Sequence, residues 1–190
     1  MYSGIALLFK LFFRIFGKAE VINKEVLPKR GPFVIACTHT GWVDVLCLGA
    51  TLYPLKINYM AKKQLFDHKF TSWLMKKLNA FPVDRENPGP SVLKIPARLL
   101  SNGEIVGIFP SGTRATEQTA LKQGVITIAQ RAGVPIFPVT YIGPNNLREL
   151  ISRKKTHLIF GEPIHINTNE KKERKYYLEI LEQKLISVSK

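Results

Sequence analysis

Acidic residues, cysteines and long apolar runs are all scarce in this sequence of 190 residues. Aspartate and glutamate number 14 against 28 lysines and arginines, so the formal net charge is +14. A chain this basic is expected to bind an anionic partner, which means a nucleic acid, a lipid surface or a phosphorylated substrate. The charge alone does not choose among these three.

The two cysteines, Cys37 and Cys47, lack the spacing and the histidine or cysteine neighbours that a zinc site needs. Both lie inside apolar segments, where a free cysteine packs as a small hydrophobic residue. We therefore predict two buried thiols in a reducing compartment and no metal site.

The N-terminal segment MYSGIALLFKLFFRIFGK lacks the length of a membrane span. Lys10 and Arg14 interrupt its apolar run from Gly4 to Phe16, whereas a spanning helix needs about 20 predominantly apolar residues. The segment also lacks the basic region and the cleavage pattern of a signal peptide. A helix would place its basic residues opposite four phenylalanines, which predicts an interfacial amphipathic helix over residues 1–20 on an anionic membrane. A core-packing helix is the alternative.

Short apolar runs alternate with longer amphipathic segments from residue 33 onward. The strand candidates are 32–38, 57–61, 80–84, 105–109, 135–143 and 156–160, and the helix candidates are 43–52, 71–78, 91–103, 120–133 and 169–188. This alternation predicts one α/β domain over residues 21–190, with a mostly parallel sheet covered by helices on both faces. Ligands bind such sheets at the carboxyl ends of the strands.

A histidine and a carboxylate follow the first of these strands, in the stretch CTHTGWVD. His39 lies in the turn before a helix, and Asp44 falls in the first turn of that helix. Histidine suits a general base near neutral pH, and a carboxylate on its other ring nitrogen fixes the tautomer. Alternatively, His39 caps the helix and Asp44 interacts with its positive end. The spacing does not decide between the two.

Arginines follow two further strands, in NAFPVDR and GIFPSGTR. Arg85 and Arg114 are planar guanidinium groups suited to a phosphate. The tight turn before the second arginine carries Ser111, Gly112 and Thr113. Together these residues predict a phosphomonoester site, and solvated surface arginines are the alternative.

Four stretches, HTGWVD, NAFPVDR, FPSGTR and VPIFPVTY, resemble in order the four sequence blocks of the glycerophospholipid acyltransferases. The resemblance spans residues 33–141 and is strongest to the bacterial 1-acylglycerol-3-phosphate (lysophosphatidic acid) acyltransferases. It implies that His39 is the general base and that Asp44 orients it. It also implies a substrate-phosphate site formed by Lys62, Arg85, Ser111, Gly112, Thr113 and Arg114.

The chain departs from the usual pattern of that family at named positions. Gly41 stands where serine is usual, and Thr38 where asparagine is usual. Ser111 replaces the glutamate of the third block, which removes a carboxylate partner for an arginine or for a substrate hydroxyl, and Gln64 replaces another glutamate. The base and the arginines are retained.

The resemblance implies the transfer of a fatty acyl group to the sn-2 hydroxyl of lysophosphatidic acid, which gives phosphatidic acid. The co-substrate would be acyl-coenzyme A or acyl-acyl carrier protein, and no metal or redox cofactor would be needed. The N–H groups of the turn from Thr40 to Trp42 are candidates to stabilise the oxyanion. We expect a peripheral protein on the cytoplasmic face of the cell membrane.

Other functions stay open at this point. The acceptor could be another lysolipid, or Ser111 could serve as the nucleophile of a lipid hydrolase, although IFPSG lacks the glycine expected two residues before a nucleophilic serine. A non-catalytic protein that binds anionic lipid is a further alternative. Nucleic acid is not expected, because the basic run KKERK (171–175) belongs to a helix whose other face is apolar. The donor and the oligomeric state are not fixed.

Overall fold

The computed structural model describes residues 19–84, 87–110, 115–152, 154–167 and 174–187. The strands are β1 (Ala19–Ile22), β2 (Phe33–Cys37), β3 (Ile57–Lys62), β4 (Ala80–Val83), β5 (Ile105–Ile108), β6 (Ile136–Ile142) and β7 (Thr156–Phe160). The α-helices in these ranges are α1 (Trp42–Leu52), α2 (Lys69–Lys77), α3 (Ser91–Ser101), α4 (Ala115–Ala132), α5 (Leu147–Ile151) and α6 (Arg174–Ser187). Single 3₁₀ turns occupy Lys24–Val26 and Lys63–Phe66.

The strands form one sheet in the order β1-β7-β6-β2-β5-β3-β4. The five strands from β6 to β4 are parallel to their neighbours, whereas β7 is antiparallel to β6 and β1 is parallel to β7. The prediction of a mostly parallel α/β sheet is confirmed. Neither β1 nor the short helix α5 was predicted.

Helices cover both faces of the sheet, as predicted. In the central strand β2, Phe33, Ile35 and Cys37 point into the core layer shared with α1. Val34 and Ala36 point into the opposite layer, which contains side chains of α3, α4 and α6. All five side chains are fully buried. Burial on both faces explains why β2 is continuously apolar rather than alternating.

The predicted helix ends coincide with backbone geometry that stops a helix. Gly103, the glycine of the Asn-Gly pair that follows α3, has a φ of 79°, and Gly133 after α4 has a φ of 65°. These left-handed conformations favour glycine. Pro96 is accommodated within α3 and is buried there.

The C-terminal helix α6 is amphipathic in the way the sequence predicts. Its buried side is formed by Tyr177, Leu178, Leu181 and Leu185. Arg174 and Lys175, the described part of the basic run, are exposed. This confirms that the apolar residues of the helix pack inward and that this part of the basic run is solvated.

Both cysteines are buried free thiols, as predicted. Burial raises the pKa of Cys47 to about 12 and raises the pKa of Cys37 well above its ordinary value. A thiol with so high a pKa stays protonated near neutral pH and is a poor nucleophile.

The predicted N-terminal helix lies outside the described residues except for its last two positions and stays a prediction. Those two, Ala19 and Glu20, belong to β1 and pair with β7. In the part of the chain that the structure describes, no helix has the length and hydropathy needed to cross a bilayer.

Candidate active site

The end of β2 and the start of α1 bring His39 and Asp44 into contact. Nδ1 of His39 lies 3.1 Å from Oδ1 and 3.1 Å from Oδ2 of Asp44. The turn Thr38–Gly41 joins the two elements, and Asp44 is the third residue of the helix. The contact that the general-base interpretation requires is therefore present.

Backbone N–H groups surround the Asp44 carboxylate, which is 0% exposed. Oδ2 accepts hydrogen bonds from the N–H groups of Thr40 (2.6 Å) and Gly41 (3.1 Å), and Oδ1 accepts one from Val45 (2.6 Å). These bonds offset the cost of burying the carboxylate. Asp44 thus contacts the histidine and also accepts N–H hydrogen bonds at the start of the helix, so these two interactions coexist. The N-cap itself is Gly41, not His39.

His39 is partly accessible, since its side chain is 35% exposed. Its ring packs against Phe109 with the centroids 5.0 Å apart, and Phe109 stacks on Tyr59 at 6.1 Å. The hydroxyl of Tyr59 donates to the Val45 carbonyl oxygen at 3.3 Å. The ring of His39 is therefore held from one side by a buried carboxylate and from another by an aromatic stack, while a substrate can still reach it.

The same hydrogen bonds limit which groups can stabilise an oxyanion. The N–H groups of Thr40 and Gly41 already donate to Asp44. They cannot serve an oxyanion without giving up the carboxylate, so the expectation that the Thr40–Trp42 turn supplies these donors does not hold for these two residues.

The turn Thr38–Gly41 packs against the end of β6 and the loop that follows it. The hydroxyl of Thr38 accepts a hydrogen bond from the N–H of Tyr141 at 2.8 Å, and the hydroxyl of Tyr141 donates to the carbonyl oxygen of Pro144 at 2.7 Å. A Cβ built on Gly41 would collide with the carbonyl oxygen of Asn145. This close approach explains why glycine, rather than the serine usual in the family, suits position 41 here.

A largely apolar cavity of about 520 Å³ opens beside His39. Its walls come from the turn Thr38–Gly41, α1, β3, the 3₁₀ turn at Lys63–Phe66, α2, the start of β4 and the residue after β5. The lining residues are His39, Gly41, Trp42, Val45, Leu46, Tyr59, Met60, Ala61, Lys62, Leu65, Leu74, Met75, Leu78, Ala80 and Phe109. The volume falls within the roughly 300–1,000 Å³ of small-molecule sites.

Lys62, one of the six residues predicted for the substrate-phosphate site, is exposed at the end of β3 and lines this cavity. Arg85, Ser111, Gly112, Thr113 and Arg114 lie outside the described residues. The strands that lead to them, β4 and β5, flank β3 on its two sides. Their placement at the phosphate site stays a prediction.

Sequence reasoning missed the apolar part of the site. Phe109 packs between His39 and Tyr59. Leu74 and Met75 of α2, together with Leu78 directly after it, line the cavity. The position of Phe109 directly after β5, at the carboxyl edge of the sheet, was the available signal. Within the described ranges, no three histidine, cysteine or acidic side chains cluster in a way that could hold a metal ion.

The profile of the family named Acyltransferase matches residues 18–142. The chain belongs to the acyltransferase family. The 1-acyl-sn-glycerol-3-phosphate acyltransferase of Bacillus subtilis is 53% identical over 165 residues, which cover 87% of this chain and 83% of the relative. The enzyme of the same name from Streptococcus pneumoniae is 36% identical over 163 residues, covering 85% of this acyltransferase and 61% of the relative.

A solved structure shares the fold of this acyltransferase. The crystal structure of the 1-acyl-sn-glycerophosphate (LPA) acyltransferase PlsC from Thermotoga maritima superposes with a TM-score of 0.71 at 23% identity, covering 99% of this chain and 79% of that chain. The resemblance drawn from the four sequence blocks is thus confirmed, and the chain is an enzyme of the acyltransferase class.

Proposed function

We propose that this acyltransferase moves a fatty acyl group from an acyl thioester to the sn-2 hydroxyl of 1-acylglycerol-3-phosphate, giving phosphatidic acid. The observation that carries the proposal is the His39–Asp44 pair at the wall of an apolar cavity. The names of the relatives at 53% and 36% identity support the choice of acceptor.

In the proposed mechanism, His39 accepts the proton of the acceptor hydroxyl as that oxygen attacks the thioester carbonyl. The tetrahedral intermediate collapses, the C–S bond breaks, and the proton passes from the imidazolium to the leaving thiolate. Asp44 holds the ring in place and stabilises its charged form. Such a base contributes about 100-fold to 10,000-fold, and holding both substrates in one site contributes further. No acyl-enzyme forms.

The phosphate of the acceptor is proposed to bind Lys62, Arg85 and Arg114, with Ser111, Gly112 and Thr113 shaping the loop. Guanidinium groups suit phosphate geometry, and lysine adds a point charge. The donor is acyl-coenzyme A or acyl-acyl carrier protein, both of which are anionic and are attracted by a chain of net charge +14. The proposal requires no metal or redox cofactor.

The apolar cavity is proposed to hold an acyl chain with its carboxyl end near His39. Leu46, Met60 and Leu74 are among the apolar side chains that would contact it. Burial of the acyl chain against these side chains would contribute a favourable binding free energy of roughly 25 cal/mol per Å² of apolar surface removed from water. Attachment through the N-terminal segment to the cytoplasmic membrane face would bring the enzyme to its lipid acceptor.

The test is to incubate the purified protein with lysophosphatidate and either acyl-coenzyme A or acyl-acyl carrier protein. Wild type should release phosphatidate, and His39→Ala should lose turnover by orders of magnitude. Ser111→Ala separates this reaction from serine hydrolysis, because it should keep transfer near normal. Equal turnover of wild type and His39→Ala would overturn the mechanism, and absence of product with both donors would overturn the choice of acceptor.

A further inference from the structure

Helix α2 contributes no buried residue to the protein interior. Phe70 is 72% exposed and Trp73 is 51% exposed, and their rings stack with centroids 6.3 Å apart. Exposed aromatic side chains grouped on one helix are unusual on a protein surrounded by water and mark a binding surface. We define the α2 surface as Leu65, Phe70, Trp73 and the lysines around them.

The α2 surface is strongly basic. Residues 62–77 contain the lysines Lys62, Lys63, Lys69, Lys76 and Lys77, against one carboxylate, Asp67. Nζ of Lys77 lies 5.8 Å from the centroid of the Trp73 ring. Lys63 pairs only loosely with Asp84, at 3.8 Å and with the lysine largely exposed. The segment therefore presents positive charge together with aromatic rings.

The α2 surface adjoins the opening of the cavity. Leu65 and Trp42 both line the cavity and are about half exposed, so they stand at its mouth. Leu74 and Met75, on the same helix as Phe70 and Trp73, form part of the cavity wall. One side of helix α2 thus faces the apolar cavity, and its other side carries the exposed aromatic rings and lysines of the α2 surface.

We propose that the α2 surface docks on an anionic lipid bilayer and sets the cavity mouth against the lipid. Tryptophan and phenylalanine insert at the interface between headgroups and chains, and each lysine near an anionic surface adds attraction. A bilayer that contains anionic lipid supplies both headgroup charge for the lysines and an apolar interior for Phe70 and Trp73. This docking is additional to the proposed function. It depends on the proposed function only for the identity of the lipid that enters the cavity.

Tryptophan fluorescence tests the proposal directly. The chain has two tryptophans, Trp42 and Trp73, and none in residues 1–18. In a Trp42→Phe background, Trp73 reports on the α2 surface alone, whatever the N-terminal segment does. We expect its emission to shift to the blue, and to be quenched by brominated acyl chains, when vesicles of equal phosphatidylglycerol and phosphatidylcholine are added.

Vesicle flotation gives the second measurement. The double variant Phe70→Ala with Trp73→Ala should lower partitioning into the same vesicles about tenfold. Tyr176→Ala is the matched control, because Tyr176 is an aromatic residue 45% exposed on α6 and should leave partitioning unchanged. The double variant should keep wild-type turnover on detergent-dispersed lysophosphatidate and lose it selectively on vesicles.

Three results would overturn the proposal. One is unchanged Trp73 emission while flotation shows the protein bound. Another is a shift with acyl carrier protein but not with vesicles, which would assign the α2 surface to a protein partner. The third is equal loss of turnover of the double variant in detergent and on vesicles, which would place these residues in substrate binding. Fluorescence and flotation measure membrane binding without turnover. They therefore test docking even if the protein does not catalyse the proposed reaction.

Discussion

Asp44 is fully buried, whereas His39, whose Nδ1 lies 3.1 Å from its carboxylate, is one third exposed. The two residues therefore differ in what they stabilise. Asp44 joins the histidine to three backbone N–H groups, while His39 faces the cavity and contributes less to the core.

Substitutions at these two positions should separate catalysis from stability. His39→Gln should lower turnover by about 100-fold to 10,000-fold and change the free energy of unfolding by less than about 1 kcal/mol. Asp44→Asn should lower both, with a loss of about 1–3 kcal/mol, because an amide NH₂ cannot accept the N–H bonds that an oxygen accepted. Urea unfolding and turnover, measured side by side, check this. Equal stability losses in the two variants would contradict it.

Restoring the serine that is usual in the family at position 41 should harm this protein. Gly41→Ser places a Cβ against the carbonyl oxygen of Asn145, and one of the two segments must shift. We expect a loss of about 1–3 kcal/mol in unfolding free energy and a drop in turnover, because the same turn carries His39.

Gly124→Ala is the control for that substitution. Gly124 lies inside α4, and an added Cβ would have no atom within 4 Å apart from its chain neighbours and the adjacent backbone of its own helix, so alanine should raise helix stability by up to about 1 kcal/mol. If Gly41→Ser were as stable as wild type, the contact with Asn145 would not restrict position 41.

Narrowing the cavity should change which acyl chains are transferred. Ala80 lines the cavity at the start of β4, and Ala80→Phe would fill part of the volume. We expect kcat/KM for long acyl thioesters to fall about tenfold or more relative to short ones. Competition between a short and a long thioester in one reaction measures the ratio, and an unchanged ratio would show that the chain binds elsewhere.

Lys62 should contribute to acceptor binding more than its neighbour. Both lysines are exposed, but Lys62 lines the cavity, whereas Lys63 is not among the lining residues and pairs with Asp84 at 3.8 Å. In detergent, Lys62→Ala should raise KM for lysophosphatidate about tenfold through the loss of one charged contact, with little change in kcat. Lys63→Ala is the control, and a similar rise in KM for both would indicate general charge attraction instead.

The buried thiols should make stability fall at high pH. Burial raises the pKa of Cys47 to about 12, while a thiol in the unfolded chain titrates near about 8.5. Above that value the unfolded state loses a proton that the folded state keeps, so the folded state loses stability as pH rises. From about pH 8 to about pH 10, this thiol should account for about 1–2 kcal/mol.

Comparison with Cys47→Ala isolates that contribution. The variant should be less stable near neutral pH, because a buried side chain is truncated, but its unfolding free energy should decline less steeply with pH. Parallel pH dependences in urea unfolding would show that Cys47 does not ionise on unfolding as expected.

The parts of the fold that could be read from the sequence are those with strong local patterns. The strand at β2 is uniformly apolar because both of its faces are buried, and glycines with left-handed backbone mark the ends of α3 and α4. The strand β1 was missed because its four residues carry little pattern, and its pairing with β7 depends on tertiary structure. The antiparallel direction of β7 is likewise set by its partner β6, not by its own sequence.

In the candidate site, too, the features set by local sequence could be predicted and those set by tertiary structure could not. A contact between His39 and Asp44 could be anticipated as one of two interpretations, because only a short turn and the start of α1 separate the two residues. The packing of Phe109 against Tyr59 could not be predicted from the sequence, because β3 and β5 become neighbours only when the sheet forms. The hydrogen bonds from the N–H groups of Thr40 and Gly41 to Asp44 could also be recognised only in the three-dimensional structure.

The approach of Asn145 to Gly41 has a consequence for constructing chimeras with other acyltransferases. The region matched by the family profile ends at residue 142, so Asn145 lies beyond it although its carbonyl oxygen limits position 41. An exchange of sequence made at that border would pair the turn Thr38–Gly41 from one parent with the supporting loop from the other. A recombination boundary placed after α5 would instead transfer the turn and its support together.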